Sequence, residues 1–288
     1  MPSRPNPTLR QRRLGAELRR MREQAGLGGS QLARALGVTP AHITQMETGK
    51  TGVSVDRLHA IAATCMCANQ PLIESLLDMT GAREKSGWWE EYRGSLTTDF
   101  LEVAELESNA HQLTVYTTTF IPGLLQTSDY ARVLFAHTYP PLPHHQVELR
   151  TTFRMRRQHV VRSEATPHTA FIHETALHME FCGPKILAEQ LDALINDSEQ
   201  SNISVRVVPF GASVVPSPSE NFTYAAGPIT ELDTAQMDTG HGGQLFEAPA
   251  HLARFRALIA QMDSSALPEG ESRDFIRSIK DGIGKKHV

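Results

Sequence analysis

Between residues 26 and 54 the chain is punctuated so closely that only short helices fit: Gly26, Gly28 and Gly29, then Gly37, then Thr39-Pro40, then Gly49, then Ser54. Glycine takes the left-handed backbone that ends a helix, whereas Ser or Thr caps the start of one and Pro suits its first position. Ahead of this stretch, Leu14, Leu18, Met21 and Ala25 recur at helical spacing with Arg12, Arg13, Arg19, Arg20 and Arg22 on other faces, which predicts an amphipathic helix over 8–25. The segment SQLARALG predicts a second helix of two turns, capped by Ser30, with Leu32, Ala33 and Leu36 inward. Thr39 caps a third that Pro40 opens and that runs to about Thr48. Ser54 caps a fourth with Val55, Leu58, Ile61, Ala62 and Cys65 as its inward stripe, and residues 71–79 give a fifth through Leu72, Ile73, Leu76 and Leu77. The expected product is a small five-helix bundle with two helices joined by a tight turn.

In that bundle the third helix is buried through Val38, Ile43 and Met46 and leaves Ala41, His42, Thr44 and Gln45 facing out. These side chains suit a major groove. Gln45 can pair bidentately with adenine, His42 and Thr44 can donate or accept at base edges, and Ala41 can touch a thymine methyl. Gln31 at a helix start, Thr39 at the cap and Lys50 beyond the third helix fit phosphates, which set register without reading sequence.

The run QLARALGVTPAHITQMETGK resembles the core of the lambda-repressor-like helix-turn-helix proteins of the xenobiotic-response-element (XRE) type, over about residues 10–80. The resemblance rests on Gln31, Ala33 in the helix crossing, Gly37 in the turn, Ile43 as the buried residue of the third helix, and the Glu47-x-Gly49-Lys50 ending. It implies a DNA-binding domain that reads its operator with the third helix.

Charge is split along the chain. Residues 1–85 hold 12 Lys and Arg against 7 Asp and Glu, and the remainder holds 16 against 25, which suits a polyanion-binding head on an acidic body. Three scattered cysteines, Cys65, Cys67 and Cys182, make no disulfide framework or metal clasp. No apolar run reaches the length of a membrane span, so a soluble, cytoplasmic protein with no membrane association is expected.

After TGAREKSG at 80–87 and the tandem Trp88-Trp89, periodicity predicts a helix at 99–109, a strand QLTVYTT, a helix starting near Thr127, a basic helix at 147–162, a strand TAFIHE, a helix PKILAEQLDALIND and a strand ISVRVVPF. Strands alternating with helices imply an α/β domain. Farther on, Leu252, Phe255, Leu258, Ile259 and Met262 form one helical stripe and Phe275, Ile276 and Ile279 another, while Gly240, Gly242 and Gly243 predict a mobile loop. The expected fold class is therefore α plus α/β: a five-helix helix-turn-helix bundle over 1–82, a linker over 83–98 and a mixed α/β regulatory domain over 99–288.

This second half resembles the C-terminal domain of unknown function that accompanies such heads in filamentous actinobacteria, often labelled antitoxin-like. The motifs that carry the resemblance are Ile121-Pro-Gly-Leu-Leu-Gln-Thr127 with Asp129-Tyr-Ala131, Arg154-x-x-Arg157-Gln158, Glu174-x-x-Leu177, Glu189-Gln-Leu191 and Val207-Val-Pro-Phe210. It implies a regulator encoded beside a small acidic partner protein. Residues 227–247 depart from the family pattern, because ITELDTAQMDTGHGGQLFEA stands where a strand with Tyr-x-Glu is expected.

Catalytic and metal motifs are sparse. HETALH spaces its histidines five apart, about 140° around a helix, so His173 and His178 do not form the zinc-protease pair, and no nucleophile elbow or phosphate loop occurs. His137, His144 and His145 fall in a Pro-rich stretch read as loop. Arg154 and Arg157, with Glu174, are the candidate anion or ligand residues, against the plainer reading of a basic solvated helix face. No cofactor or metal is expected. Two readings stand: a homodimeric regulator whose C-terminal domain senses a partner protein or small molecule, and, as the alternative, an enzyme of undescribed chemistry with an autoregulatory DNA-binding head.

Overall fold

A computed structural model describes residues 7–80, 87–163, 166–213, 221–239 and 242–283. By packing, the chain divides into two compact units, 1–106 and 107–288.

The first unit opens with helices α1 (Leu9–Gln24), α2 (Gly29–Ala35), α3 (Pro40–Glu47), α4 (Val55–Thr64) and α5 (Gln70–Met79). Thr39 caps α3 by accepting from the His42 amide, and Ser54 caps α4 by accepting from the Arg57 amide. The start of α2 differs from expectation: its cap is Gly28, whose amide donates to the Gln31 side chain at 2.6 Å, so Gln31 and not Ser30 satisfies the helix end. Val55 is a second correction. It is 49% exposed, while Val53, ahead of the cap, is buried together with Leu58. The apolar residue before the cap thus takes the inward place, as in a hydrophobic staple.

Leu14, Leu18, Met21, Leu32, Ile43, Met46, Leu58, Ile61 and Leu76 make the core of this bundle. Two glycines let α1 and α3 approach closely. A Cβ on Gly15 would lie 2.5 Å from the Glu47 carbonyl oxygen, and one on Gly49, whose φ is +73°, would lie 2.8 Å from that of Gln11. A 3₁₀ turn at Trp88–Tyr92 and helix α6 (Thr98–Ser108) follow, and the division between the units falls within α6.

The second unit is built on a six-stranded mixed sheet: β1 (Gln112–Thr117), β2 (His168–His173), β3 (Ile203–Val208), β4 (Phe222–Ala226), β5 (Thr234–Thr239) and β6 (Gly242–Phe246), in the order β3-β2-β1-β4-β5-β6. Strands β1, β2 and β3 run parallel, joined through α7 (Ser128–Ala136), α8 (His144–Arg157), α9 (His159–Arg162), α10 (Glu174–Leu177) and α11 (Pro184–Asp197). Strands β4, β5 and β6 add an antiparallel meander beside β1. Helices α12 (Pro249–Ser265) and α13 (Glu269–Gly282) close the chain.

On one face Tyr116, Phe171, Phe222 and Tyr224 pack with Leu252, Phe255 and Met262 of α12. The single basic helix expected over 147–162 is two, α8 and α9, and it starts early enough to take in His144 and His145. The meander was not foreseen, and the glycine loop expected near 240 is corrected for two of its members: Gly242 and Gly243 lie in β6, paired with Thr239 and Asp238, whereas Gly240 lies outside the described residues. At Gly243 the end of the Gln236 side chain occupies the space of a Cβ, which would lie 2.7 Å from its amide nitrogen.

The two edges of the sheet differ. Along β3 the Val207 amide donates to the Ser272 hydroxyl at 3.0 Å, the Val207 carbonyl accepts from the Leu267 amide at 2.9 Å, and Arg206 reaches Asp263 and the carbonyls of Ala266 and Leu267. Along β6, no backbone group bonds to any element other than β5 among the described residues; beyond the ladder itself, the Gly242 carbonyl accepts from the Thr239 hydroxyl at 2.7 Å.

Candidate DNA-binding site

Helix α3 is held from beneath by Ile43 and Met46, which leaves Ala41 and Thr44 exposed and His42 and Gln45 half-buried along one outward side. Thr44 spends its hydroxyl proton on the Pro40 carbonyl at 3.2 Å, so it faces outward as an acceptor. The Gln45 carboxamide is anchored from behind, since its oxygen accepts from the Thr51 hydroxyl at 3.2 Å and the Thr51 amide donates to the Gln45 carbonyl at 3.1 Å. That anchoring leaves the two amide protons of Gln45 for a base acceptor and limits the rotamers lost on binding.

The far end of α3 is fixed by Arg22, which clamps Glu47 with hydrogen bonds of 2.6 and 3.0 Å and also donates to the Leu27 carbonyl at 2.8 Å. Direct hydrogen bonding to Glu47 holds the Arg22 guanidinium above its ordinary pKa.

The expected phosphate residues fall at the helix starts and beyond α3. Thr39 is exposed and keeps its hydroxyl proton while its oxygen caps α3; Gln31 is exposed with its oxygen on Gly28 and its amide protons outward; Lys50 is exposed two residues past the C-cap Thr48. Two cations that motif reading passed over join them. Arg12, Arg13, Arg19, Arg20, Arg22 and Arg93 each pair with a carboxylate of the same unit. Arg34 on α2 and Lys50 have no such partner among the described residues, and Arg57 in the first turn of α4 donates to the Leu36 carbonyl at 3.1 Å. The signal was legible in part: Arg13, Arg19 and Arg20 have Glu17 or Glu23 three or four residues away and Arg34 has no acid at either spacing, whereas Arg12 and Arg22 find Glu102 and Glu47, which are distant in sequence.

In the second unit the motifs that carry the family resemblance meet around one loop. Gln126 donates to the Ile121 carbonyl at 2.7 Å, Gln158 donates to the Gln126 carbonyl at 2.7 Å, and Gln190 both donates to the Leu125 carbonyl at 2.8 Å and accepts from the Thr127 amide at 2.7 Å. Arg154 donates to the Gln126 side chain at 2.6 Å and lies over the Phe135 ring, and Arg157 holds Glu107 through two bonds of 2.8 and 2.5 Å.

Burial, with Arg157 alongside, pulls the Arg154 guanidinium below its ordinary pKa. For Arg157 burial acts the same way, but the Glu107 carboxylate outweighs it and the group ends above. Glu174 stands at a different place: its carboxylate accepts from the Phe210 amide at 2.8 Å and lies 3.6 Å from His178. Arg154, Arg157 and Glu174 thus share no hydrogen-bonding partner among the described residues. His137 turns back onto the Val133 carbonyl, and among the described residues no group of three or more His, Cys, Asp or Glu is placed to hold a metal ion.

A bundle in which α2 and α3 are joined by a tight turn, with α3 presenting a polar side flanked by uncompensated cations, defines a helix-turn-helix DNA-binding protein. Residues 13–76 match a helix-turn-helix domain family, and residues 100–278 match the family described as a domain of unknown function, DUF5753. The chain belongs to the DUF5753 family. No curated protein and no solved structure matches it. Among the described residues no helix is long and apolar enough to cross a membrane.

Proposed function

We propose that the chain is a sequence-specific transcriptional regulator of the XRE type, in which Ala41, His42, Thr44 and Gln45 read bases while Gln31, Thr39, Lys50, Arg34 and Arg57 hold phosphates. The observation that carries this reading is the distribution of charge in the first unit. Among the described residues, arginines away from the helix-turn-helix are neutralised by carboxylates, and the cations left over sit on α2, just past α3 and at the start of α4. Phosphate contact of that kind supplies affinity and the groups on α3 supply specificity.

The second unit receives a partner protein or small molecule, with a small acidic protein as the partner class. What supports this is the rim at the carboxyl ends of the parallel strands, where open α/β sheets take their ligands. There Phe210 is 63% exposed beside His173 and His178, and Phe120 is also exposed, packed on Phe181.

The test is selection of genomic DNA fragments by the full chain at near-physiological salt, repeated with Thr44→Ala/Gln45→Ala and followed by a salt titration on the selected sequence. A motif that emerges, is lost in the variant and keeps affinity as salt rises supports the reading. Weak, sequence-blind binding abolished by salt overturns it.

A further inference from the structure

We infer that β6 is the surface on which a second copy of this chain docks, edge to edge and antiparallel, so that two sheets join into one across a two-fold axis at Gln244. The inference rests on the regulator reading to the extent that two DNA-reading heads on a near-palindromic site call for a two-fold.

A sheet edge with open backbone groups invites another strand, and proteins block edges with charge, proline or cover. The β3 edge is blocked in this way, by Ser272, Leu267 and Arg206. The β6 edge is not. Its five residues, Gly242 to Phe246, include neither a charge nor a proline, and among the described residues its backbone bonds to β5 alone, through the ladder and the Thr239 hydroxyl on the Gly242 carbonyl. The strand itself therefore sets no like charge against its own copy.

The order of residues makes the strand complementary to itself and to nothing simpler. With Gln244 opposite its own copy, Phe246 falls across from Gly242 and Leu245 across from Gly243, so each large apolar side chain covers a glycine, a pairing that rescues glycine in strands. A parallel pairing in register would instead set glycine on glycine and ring on ring. In the antiparallel arrangement directly opposed side chains share a face, so the two copies of α12 lie on the same side of the joined sheet. Phe246 packs on Phe255 and His251 of α12, which ties that helix to the edge. The exposed side of α12 carries Ala253, Ala257 and Ala260 interspersed with Arg254 and Arg256. The helices enlarge a contact that five-residue strands alone leave small, so association in the micromolar range is expected, tightened when both heads engage one DNA molecule.

The test is sedimentation equilibrium of the full chain through the micromolar range, for wild type, Gln244→Lys, Gln244→Glu and an equal mixture of the two variants, with thermal melts to confirm folding. Wild type is expected at twice the chain mass. Each variant alone is expected to lose association at least about tenfold, because residue 244 meets its own charge, and the mixture is expected to regain it because opposite charges meet. A monomeric wild type, or a dimer indifferent to both variants and to their mixing, overturns the inference. Failure here is separable from failure of the regulator reading: a monomer that still selects a DNA motif sinks only the interface, and a charge-dependent dimer that selects none sinks only the regulator.

Discussion

Arg22 holds Glu47 through two parallel hydrogen bonds, Nε to Oε1 at 2.6 Å and Nη2 to Oε2 at 3.0 Å, and so ties the last turn of α3 to α1. Both side chains are 11% exposed, so this pair is largely screened from water. Its removal from one side leaves the other charge without its partner, which costs more than an exposed pair is worth. Glu47→Ala is expected to lower the stability of the first unit by about 2–3 kcal/mol. It should weaken binding to all DNA sequences together, because the whole of α3 loses its anchor. Urea denaturation of the variant checks this, and a loss under about 0.5 kcal/mol would place the pair with ordinary surface bridges.

The unpaired cations predict a different signature from the groups on α3. Each phosphate contact contributes roughly one unit to the slope of log affinity against log salt. Arg34→Ala and Lys50→Ala should each reduce that slope by about 1 and weaken specific and non-specific DNA alike. Gln45→Ala should leave the slope unchanged and cost about 1–3 kcal/mol only on the preferred sequence. Fluorescence anisotropy over a salt series separates the two. Equal slopes for wild type and Lys50→Ala would remove Lys50 from the phosphate set.

Gln190 is fully buried and satisfies two backbone groups at once, the Leu125 carbonyl and the Thr127 amide. A side chain without the carboxamide leaves both unsatisfied in the interior, at about 1–3 kcal/mol for each. Gln190→Leu, close in volume, is therefore expected to destabilise the second unit by about 2–4 kcal/mol. Chemical denaturation followed by near-ultraviolet circular dichroism reads this out, and a neutral result would show that the loop between β1 and α7 finds other partners.

Much of the first unit was legible because its signals are local. Caps at Thr39 and Ser54, Pro40 at the first position and glycines at the helix ends act over a few residues, and they fall where the sequence puts them. The exceptions have tertiary or cooperative causes. Gln31 takes the capping role from Ser30 because its side chain reaches the Gly28 amide, and Gly15 reads as an indifferent helix residue although its missing Cβ is what admits the Glu47 carbonyl. In the second unit the parallel strands were legible from apolar runs such as Val205 and Val207, but β4, β5 and β6 were not. Strands β5 and β6 mix Thr, Gln, Asp and Gly, so pairing more than hydrophobic alternation makes them strands, and β4 offers only the short alternation Phe222-Thr-Tyr224. The roles of Arg154 and Arg157 were also hidden, since a basic helix gives no sign that Gln126 and Glu107, far off in sequence, await two of its arginines.

His168 sets the behaviour of the second unit at low pH. It is buried at the start of β2, neither ring nitrogen has a hydrogen-bond partner among the described residues, and burial pushes its pKa down to about 4. In the unfolded chain the same imidazole titrates near 6.5. The folded value lies below the unfolded one, so above about pH 6.5 both states are neutral and no penalty exists. As pH falls from about 6.5 toward 4 the unfolded state takes the proton first, and stability drops by about 1.4 kcal/mol for each pH unit over that window. His168→Leu removes this linkage and should flatten the melting temperature of the second unit between about pH 6.5 and 4 relative to wild type. Calorimetric scans across that range check it; parallel curves for the two proteins would mean that His168 is protonated equally in both states and that its burial carries no cost.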